Sequence, residues 1–243
     1  MSRKTVLITG GSRGIGKAIA REFAQNGWRV AISYNKNEIS AFELAEEFPG
    51  QIAAIKADLK NISDTEVLFV KAKESIGVIE VLVNNAGISM QKMINDTTYE
   101  DWREMMAVNL DSAFLLSKLA LLDMISQKSG RIINISSMWG QVGASCEVAY
   151  SASKAGLLGF TKALAQEVGP SGITVNCIAP GVIDTDMNSM HSKETIDELV
   201  DMTPMCRLGT PLDVAKTAFF LAGEGASFIT GQVIGVSGGF VIT

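Results

Sequence analysis

The 243-residue chain predicts a single α/β domain: a doubly wound, parallel, seven-stranded sheet with helices on both faces. Three observations predict it. Short β-branched apolar runs alternate with longer stretches of helical periodicity, as in repeated strand–helix–strand units. The strand runs lack strict apolar–polar alternation, which suits strands buried on both sides. Hydrophobic residues make up 47% of the chain, enough to fill a core above and below one sheet.

In chain order, the strands are Thr5–Thr9, Arg29–Ser33, Gln51–Ala57, Val81–Asn84, Arg131–Ser136, Ile173–Ile178 and Gln232–Val236. Helical stretches lie between them near 15–27, 38–48, 63–76, 98–127, 149–168 and 211–223. Parallel neighbours joined in this way require right-handed crossovers. No linker, repeat or low-complexity segment divides residues 1–243. One connection is out of scale. Asp184–Thr210 is Met-rich, carries several charges and precedes Pro211, so 184–210 is expected to be a lid over a substrate site.

Composition excludes several function classes. The net charge is −5 and no run of Lys or Arg exceeds two residues, so no nucleic-acid footprint is present. Cys146, Cys177 and Cys206 form no C-x-x-C pair and read as small core residues in a reducing compartment, with neither disulfide nor metal site. Met1-Ser-Arg-Lys runs straight into the first strand, and no signal peptide or membrane-spanning stretch is visible. The expectation is a cytoplasmic protein without a membrane partner.

The first strand feeds the loop Thr9-Gly-Gly-Ser-Arg-Gly-Ile-Gly16. Glycines between a strand and a helix allow a tight turn and bring backbone amides close to a pyrophosphate at the helix N-terminus. Gly10, Ser12, Arg13, Gly14, Ile15 and Gly16 are therefore candidate contacts of a dinucleotide, and the domain reads as an NAD(P)-binding Rossmann unit. The end of the second strand selects between the two cofactors. An acid there would bond the ribose hydroxyls of NAD and repel a 2′-phosphate. This strand instead ends Ser33-Tyr-Asn-Lys36, so Arg13, Asn35 and Lys36 are candidates to hold that phosphate, and NADP(H) is the expected cofactor.

Chemistry is expected at Tyr150 and Lys154. Positions i and i+4 share one helix face, and an ammonium beside a phenol favours the phenolate. Such a Tyr can protonate a carbonyl oxygen that is receiving a hydride. Tyr34 and Tyr99 are followed at i+4 by Glu38 and Arg103, which leaves Tyr150 as the candidate.

With these residues in hand, the chain resembles the short-chain dehydrogenase/reductase family from Lys4 to its end. The likeness rests on Thr9-Gly10-x3-Gly14-x-Gly16, Asp58-Leu59, Asn84-Asn85-Ala86-Gly87, Asn109, Ser136-Ser137, Tyr150-x3-Lys154, Pro180-Gly181 and Thr185 in order. The resemblance implies a catalytic tetrad of Asn109, Ser137, Tyr150 and Lys154. In it Ser137 bonds the substrate carbonyl, Lys154 also holds the nicotinamide ribose, and Asn109 anchors a water. It further implies that Asp58 and Leu59 meet the adenine, that Asn85, Ala86 and Gly87 line the cofactor, and that Pro180, Gly181, Ile183 and Thr185 hold its nicotinamide end.

Within the family, length, Gly172-Ile-Thr-Val-Asn176 and Gly231-Gln-x5-Gly238-Gly239 are similar to 3-oxoacyl-[acyl-carrier-protein] reductases. That resemblance implies a ketone substrate on an acidic carrier protein, received by basic residues. Lys128 and Arg131 are kept, but Pro170-Ser171 stands where a second basic position would be. A narrower likeness, Ser137 to Val148, is to reductases of the 5-aminopentanone modification on elongation factor P. Glu147 could pair with an ammonium there or could simply interact with a helix dipole, and Trp139 could be a substrate platform or a packing residue. Leucines surround 98–127 and 149–168 on more than one face, and the family implies a homotetramer.

Overall fold

The structure is a computed structural model that describes residues 4–185 and 192–243. Seven strands are found among the described residues: β1 (Thr5–Ile8), β2 (Arg29–Tyr34), β3 (Ile52–Lys56), β4 (Val81–Asn84), β5 (Gly130–Ile135), β6 (Ile173–Pro180) and β7 (Val233–Val236). They form one sheet in the order β3-β2-β1-β4-β5-β6-β7, with every pairing parallel. The chain steps outward from β1 to β3, returns to lay β4 beside β1, and then steps the other way. That reversal opens a crevice at the carboxyl ends of β1 and β4, the usual ligand site of such sheets.

The helices are α1 (Gly14–Gln25), α2 (Glu38–Glu47), α3 (Ile62–Ile76), α4 (Tyr99–Met106), α5 (Ser112–Gln127), α6 (Trp139–Val142), α7 (Val148–Val168), α8 (Lys193–Asp201) and α9 (Pro211–Ala222). Alternation along each strand sorts them into two layers, because successive side chains leave opposite faces. Val6 and Ile8 of β1 join Phe23 of α1, Leu44 of α2 and Leu221 of α9 in one apolar cluster. Leu7, between them, joins Leu68 of α3, Leu116 of α5 and Leu164 of α7 in the other. Edge-to-face rings reinforce the first layer, with Phe23 centred 4.9 Å from Trp28 and 5.2 Å from Phe219.

A buried polar chain crosses the second layer. Asn84 and Asn134 are directly paired between β4 and β5, and Asn84 Nδ2 donates to Asn134 Oδ1 at 2.9 Å. Asn134 Nδ2 then donates to Thr161 Oγ1 at 2.8 Å, which ties the sheet to α7. Asn84 Nδ2 also reaches Ser117 Oγ of α5 at 3.2 Å. Hydrogen bonds between fully buried groups fix the register of what they join, and here they fix α7 against β4 and β5.

Three sequence expectations are corrected. The stretch 98–127 is not one regular helix. Ala107–Asp111 between α4 and α5 is a π-helical turn, and no composition signal marks it. Within Tyr99–Gln127 an 18-residue window also has a mean hydropathy of 1.5, long and apolar enough by composition to cross a membrane. In the fold it is a layer helix, with Leu116, Ala120 and Met124 buried on α3 and the sheet. Of the cysteines, only Cys177 is buried, while Cys146 is half-buried and Cys206 exposed; both lie at φ of +61° and +51°, in turns that keep them out of the core. The segment 184–210, expected to be a lid, contains α8, started by Ser192 accepting from the Thr195 amide; its residues 186–191 lie outside the described part. Both ends of the excursion are pinned together: Asp184 N donates to Gly209 O at 2.8 Å and Gly209 N to Val182 O at 2.9 Å.

Candidate active site

The glycine loop forms the floor of a cavity of about 550 Å³ at the sheet's reversal point. Gly10 sits at φ +64°, in the left-handed region that favours glycine. A Cβ on Gly16 would lie 2.1 Å from Gly10 O, so no other residue lets α1 begin so close to the end of β1. The loop is held from beneath. Gly10 N donates to Ser33 Oγ at 3.0 Å, and Ser40 Oγ donates to Ser12 O at 2.9 Å while accepting from Lys17 Nζ at 3.1 Å. At the N-cap of α1, Arg13 makes no side-chain cap bond, and the first turn carries no acid. Gly10, Ser12, Arg13, Gly14, Ile15 and Gly16 all line the cavity, and the uncapped helix end beneath it suits an anion.

Beyond the loop, Asn35, Lys36, Asp58 and Leu59 line the same cavity. Arg13, Asn35 and Lys36 are exposed on its rim, as a phosphate clamp needs. Asp58 is joined to Lys60, whose ammonium lies 3.9 Å from Asp58 and 3.3 Å from Glu104. Asn85, Ala86, Gly87 and Thr185 also line the cavity, Thr185 beside Gly14 of the glycine loop.

The catalytic candidates converge at the other end. Tyr150 and Lys154 lie one turn apart on α7 and both line the cavity. Tyr150 is 9% exposed and Lys154 3% exposed. The Lys154 ammonium donates to Ile135 O at 2.9 Å and sits 5.8 Å from the centre of the Tyr150 ring. Ser137 hydrogen-bonds the Tyr150 phenol and also accepts from the Trp139 amide at 3.2 Å. Ser136, the neighbouring serine, donates instead to Lys154 O at 2.9 Å, which makes it a brace for α7.

Burial governs both titrations. It pushes the Tyr150 phenol up to about 12, against a downward pull from Ser137, and the negative charge of Glu147 pushes the same way as burial. It draws the Lys154 ammonium down to about 8. The expectation that Lys154 lowers the Tyr150 pKa is therefore corrected for the protein alone. The ammonium is bonded to Ile135 O, and loss of water around the phenolate is the largest cause of the Tyr150 shift. Tyr150 is consequently a fully protonated acid at neutral pH.

Asn109, the expected water anchor, has its side chain held by neighbouring elements. It is buried in the π-helical turn, accepts from Ile88 N at 2.8 Å, and donates to Ile88 O and to Ser153 Oγ, both at 3.0 Å. Pro180, Gly181 and Ile183 do not line the cavity. Pro180 O accepts from Met138 N, Gly181 packs on Ser237, and Ile183 belongs to the core beneath the glycine loop. Trp139 stacks edge-on with Phe240 at 5.9 Å and joins the apolar cluster around Tyr150. Glu147 is the half-buried N-cap of α7 without a side-chain cap bond. The cavity wall also includes Ser33, Ala57, Lys60, Ile88, Glu104 and Val108, which no sequence motif indicated. They come from separate strand ends and from the α4–π-turn region, and only the strand order brings them together.

Comparison with known proteins agrees with this geometry. A family model described as enoyl-(acyl carrier protein) reductase matches residues 10–241. The chain is 40% identical over 239 residues to a 3-oxoacyl-[acyl-carrier-protein] reductase of Aquifex aeolicus, which covers 97% of this chain and 96% of that protein. It is 39% identical over 241 residues to an uncharacterized oxidoreductase of Bacillus subtilis, covering 98% of each. Among solved structures, a blue fluorescent protein from a metagenomic library in complex with NADPH is 35% identical, with a TM-score of 0.92 over 98% of both chains.

The two pKa shifts set an expected pH profile. The charged form of Lys154 is complete below about 8 and is lost as pH rises through that value, while Tyr150 keeps its proton until about 12. The turnover rate for ketone reduction should therefore be flat at neutral pH and fall about tenfold per unit above about 8. A profile that stays level to pH 10 would show that the ammonium is not required.

Proposed function

Because this chain belongs to the short-chain dehydrogenase/reductase family, we propose that it reduces a ketone to a secondary alcohol with NADPH, and that the ketone is a 3-oxoacyl thioester carried on acyl-carrier protein. One observation carries the reaction type: a buried, protonated Tyr150, hydrogen-bonded to Ser137, stands beside Lys154 in the wall of a dinucleotide-sized cavity. The residues fit the cofactor, with Gly16 leaving space for backbone approach and Arg13, Asn35 and Lys36 at the rim. When bound, NADPH supplies the hydride. Ser137 donates a hydrogen bond to the substrate carbonyl oxygen, Tyr150 delivers its proton to that oxygen, and the Lys154 ammonium stabilises the phenolate left behind. The reading takes residues 1–243 as one cytoplasmic domain with 184–210 as the substrate lid.

The name of the Aquifex relative and the apolar cluster of Met90, Trp102 and Trp139 around Tyr150 support an acyl substrate. Docking of an acidic carrier has weaker support. Arg131 turns its guanidinium back onto Gly130 O at 2.9 Å and Gly172 O at 3.5 Å, which leaves Lys128 as the exposed base of that region. The second reading, reduction of a 5-aminopentanone group on elongation factor P, is favoured by Glu147, whose charge is felt at the Tyr150 hydroxyl and would attract an ammonium. Turnover of an acetoacetyl thioester against ketone-modified elongation factor P separates the two. The thioester should be the better substrate, and preference for the modified protein would overturn the acyl reading. In either case Tyr150→Phe should cost roughly a hundred- to ten-thousand-fold in rate with NADPH binding retained.

Cofactor choice has its own test. Neutral replacements of Arg13 and Lys36 should weaken NADPH tenfold or more and leave NADH nearly unchanged, since charge-assisted contacts are worth about 1.5–3 kcal/mol. Equal affinity of the unaltered enzyme for both cofactors would refute the assignment.

Assembly follows from the outer surface. Phe114, Leu122 and Ile125 of α5 are exposed, as are Phe228 and Ile242 near the end of the chain. A helix that covers one side of a sheet needs a single apolar stripe, so the second face of α5 suits a partner subunit, and a homotetramer with two kinds of two-fold contact is proposed. Light scattering at micromolar concentration should give about four times 25.9 kDa, and a mass near 25.9 kDa would exclude the assembly.

A further inference from the structure

We propose that Ser153 is a positioning residue that sets the proton donor Tyr150 and Asn109 in register. The inference rests on Tyr150 being that donor. Ser153 is completely buried on α7, between Tyr150 and Lys154 in sequence, and it does not line the cavity. Its hydroxyl donates to the Tyr150 backbone carbonyl at 2.7 Å and accepts from Asn109 Nδ2 at 3.0 Å.

Direction matters here. A hydroxyl has one proton, and this one is given to Tyr150 O, so only its lone pairs face Asn109. Asn109 must then present its amide nitrogen to Ser153, which turns Oδ1 toward the Ile88 amide at 2.8 Å. Ile88 follows Gly87, where a Cβ would lie 3.1 Å from Lys154 Nζ. One hydrogen-bonded path thus runs from the loop after β4, through the π-helical turn, to the first turn of α7. A buried serine in a helix can satisfy itself on its own backbone. The second partner, from another element, is what gives Ser153 a role beyond its own helix. Misplacement of a reacting group by about 1 Å can cost on the order of a hundredfold in rate, so the path acts on turnover more than on binding.

The test compares Ser153→Ala with Ser117→Ala, which removes another buried hydroxyl, hydrogen-bonded to Asn84 and away from the cavity. Ethyl acetoacetate serves as the probe ketone, with NADPH affinity and Tm measured alongside, so the outcome does not depend on the natural substrate. Ser153→Ala should lower kcat roughly tenfold with NADPH Kd within about twofold of the unaltered enzyme. Ser117→Ala should leave kcat unchanged at a similar loss of Tm. Combined with Asn109→Ala, Ser153→Ala should cause little further loss, because the two residues act through one path. Unchanged kcat in Ser153→Ala, losses that multiply in the double variant, or a Tm drop far beyond that of Ser117→Ala with kcat and NADPH affinity falling together would each overturn the proposal. An unaltered enzyme inert to both ethyl acetoacetate and the thioester would overturn the proposed function and this inference together. Activity on the ester alone would remove only the acyl-carrier reading.

Discussion

Asn85 reaches from the end of β4 to the end of β1, where its amide nitrogen donates to Thr9 O at 2.8 Å and Gly10 O at 3.1 Å. Thr9 answers with its hydroxyl oxygen, which accepts from the Asn85 and Ala86 amides, both at 2.9 Å. These four bonds close the gap between the two strands at which the sheet reverses its order. The rest of the site depends on that closure. It holds the carbonyl against which Gly16 must fit without a side chain, and it sets the course of the chain through Gly87 and Ile88 toward Lys154. A flexible glycine loop is thereby made rigid from one side, while its amides remain open on the other.

The same dryness that makes the site rigid decides its proton states. Burial penalises the phenolate and the ammonium alike, yet at neutral pH Tyr150 is uncharged and Lys154 still charged, because the starting values of the two groups differ. The pair therefore holds a transferable proton beside a cation. Hydrogen bonds from Ser137 and to Ile135 O fix each member in place independently of the other. Preorganised charge in a water-poor cavity is the larger part of what such a site can offer a developing oxyanion.

Much of this was legible in the chain before its fold. β-branched runs marked the strands because burial on both faces demands them, and the glycine loop was visible because backbone geometry restricts what can stand at Gly10 and Gly16. Cavity walls were less legible. Lys60, Glu104 and Val108 meet only because α4 and the end of β3 flank one crevice, a fact of topology that leaves no local pattern. Arg131, kept at a basic position that the family resemblance connects with docking, also bonds the backbone at Gly130 and Gly172, a contact that no local pattern showed. The choice of Ser137 over its neighbour Ser136 came from the family resemblance. Its physical reason, one hydroxyl facing Tyr150 and the other facing the α7 backbone, is a property of the fold.

The π-helical turn at Ala107–Asp111 is longer than regular helix by one residue. A lineage that deleted that residue would gain a straighter, better-bonded helix from Tyr99 to Gln127, and selection for stability alone would favour it. It would also rotate Asn109 by about 100°, out of reach of Ile88 and Ser153. Irregularities of this kind persist where activity opposes regularity. Loss of the extra residue would therefore mark descendants that keep the architecture after abandoning the chemistry.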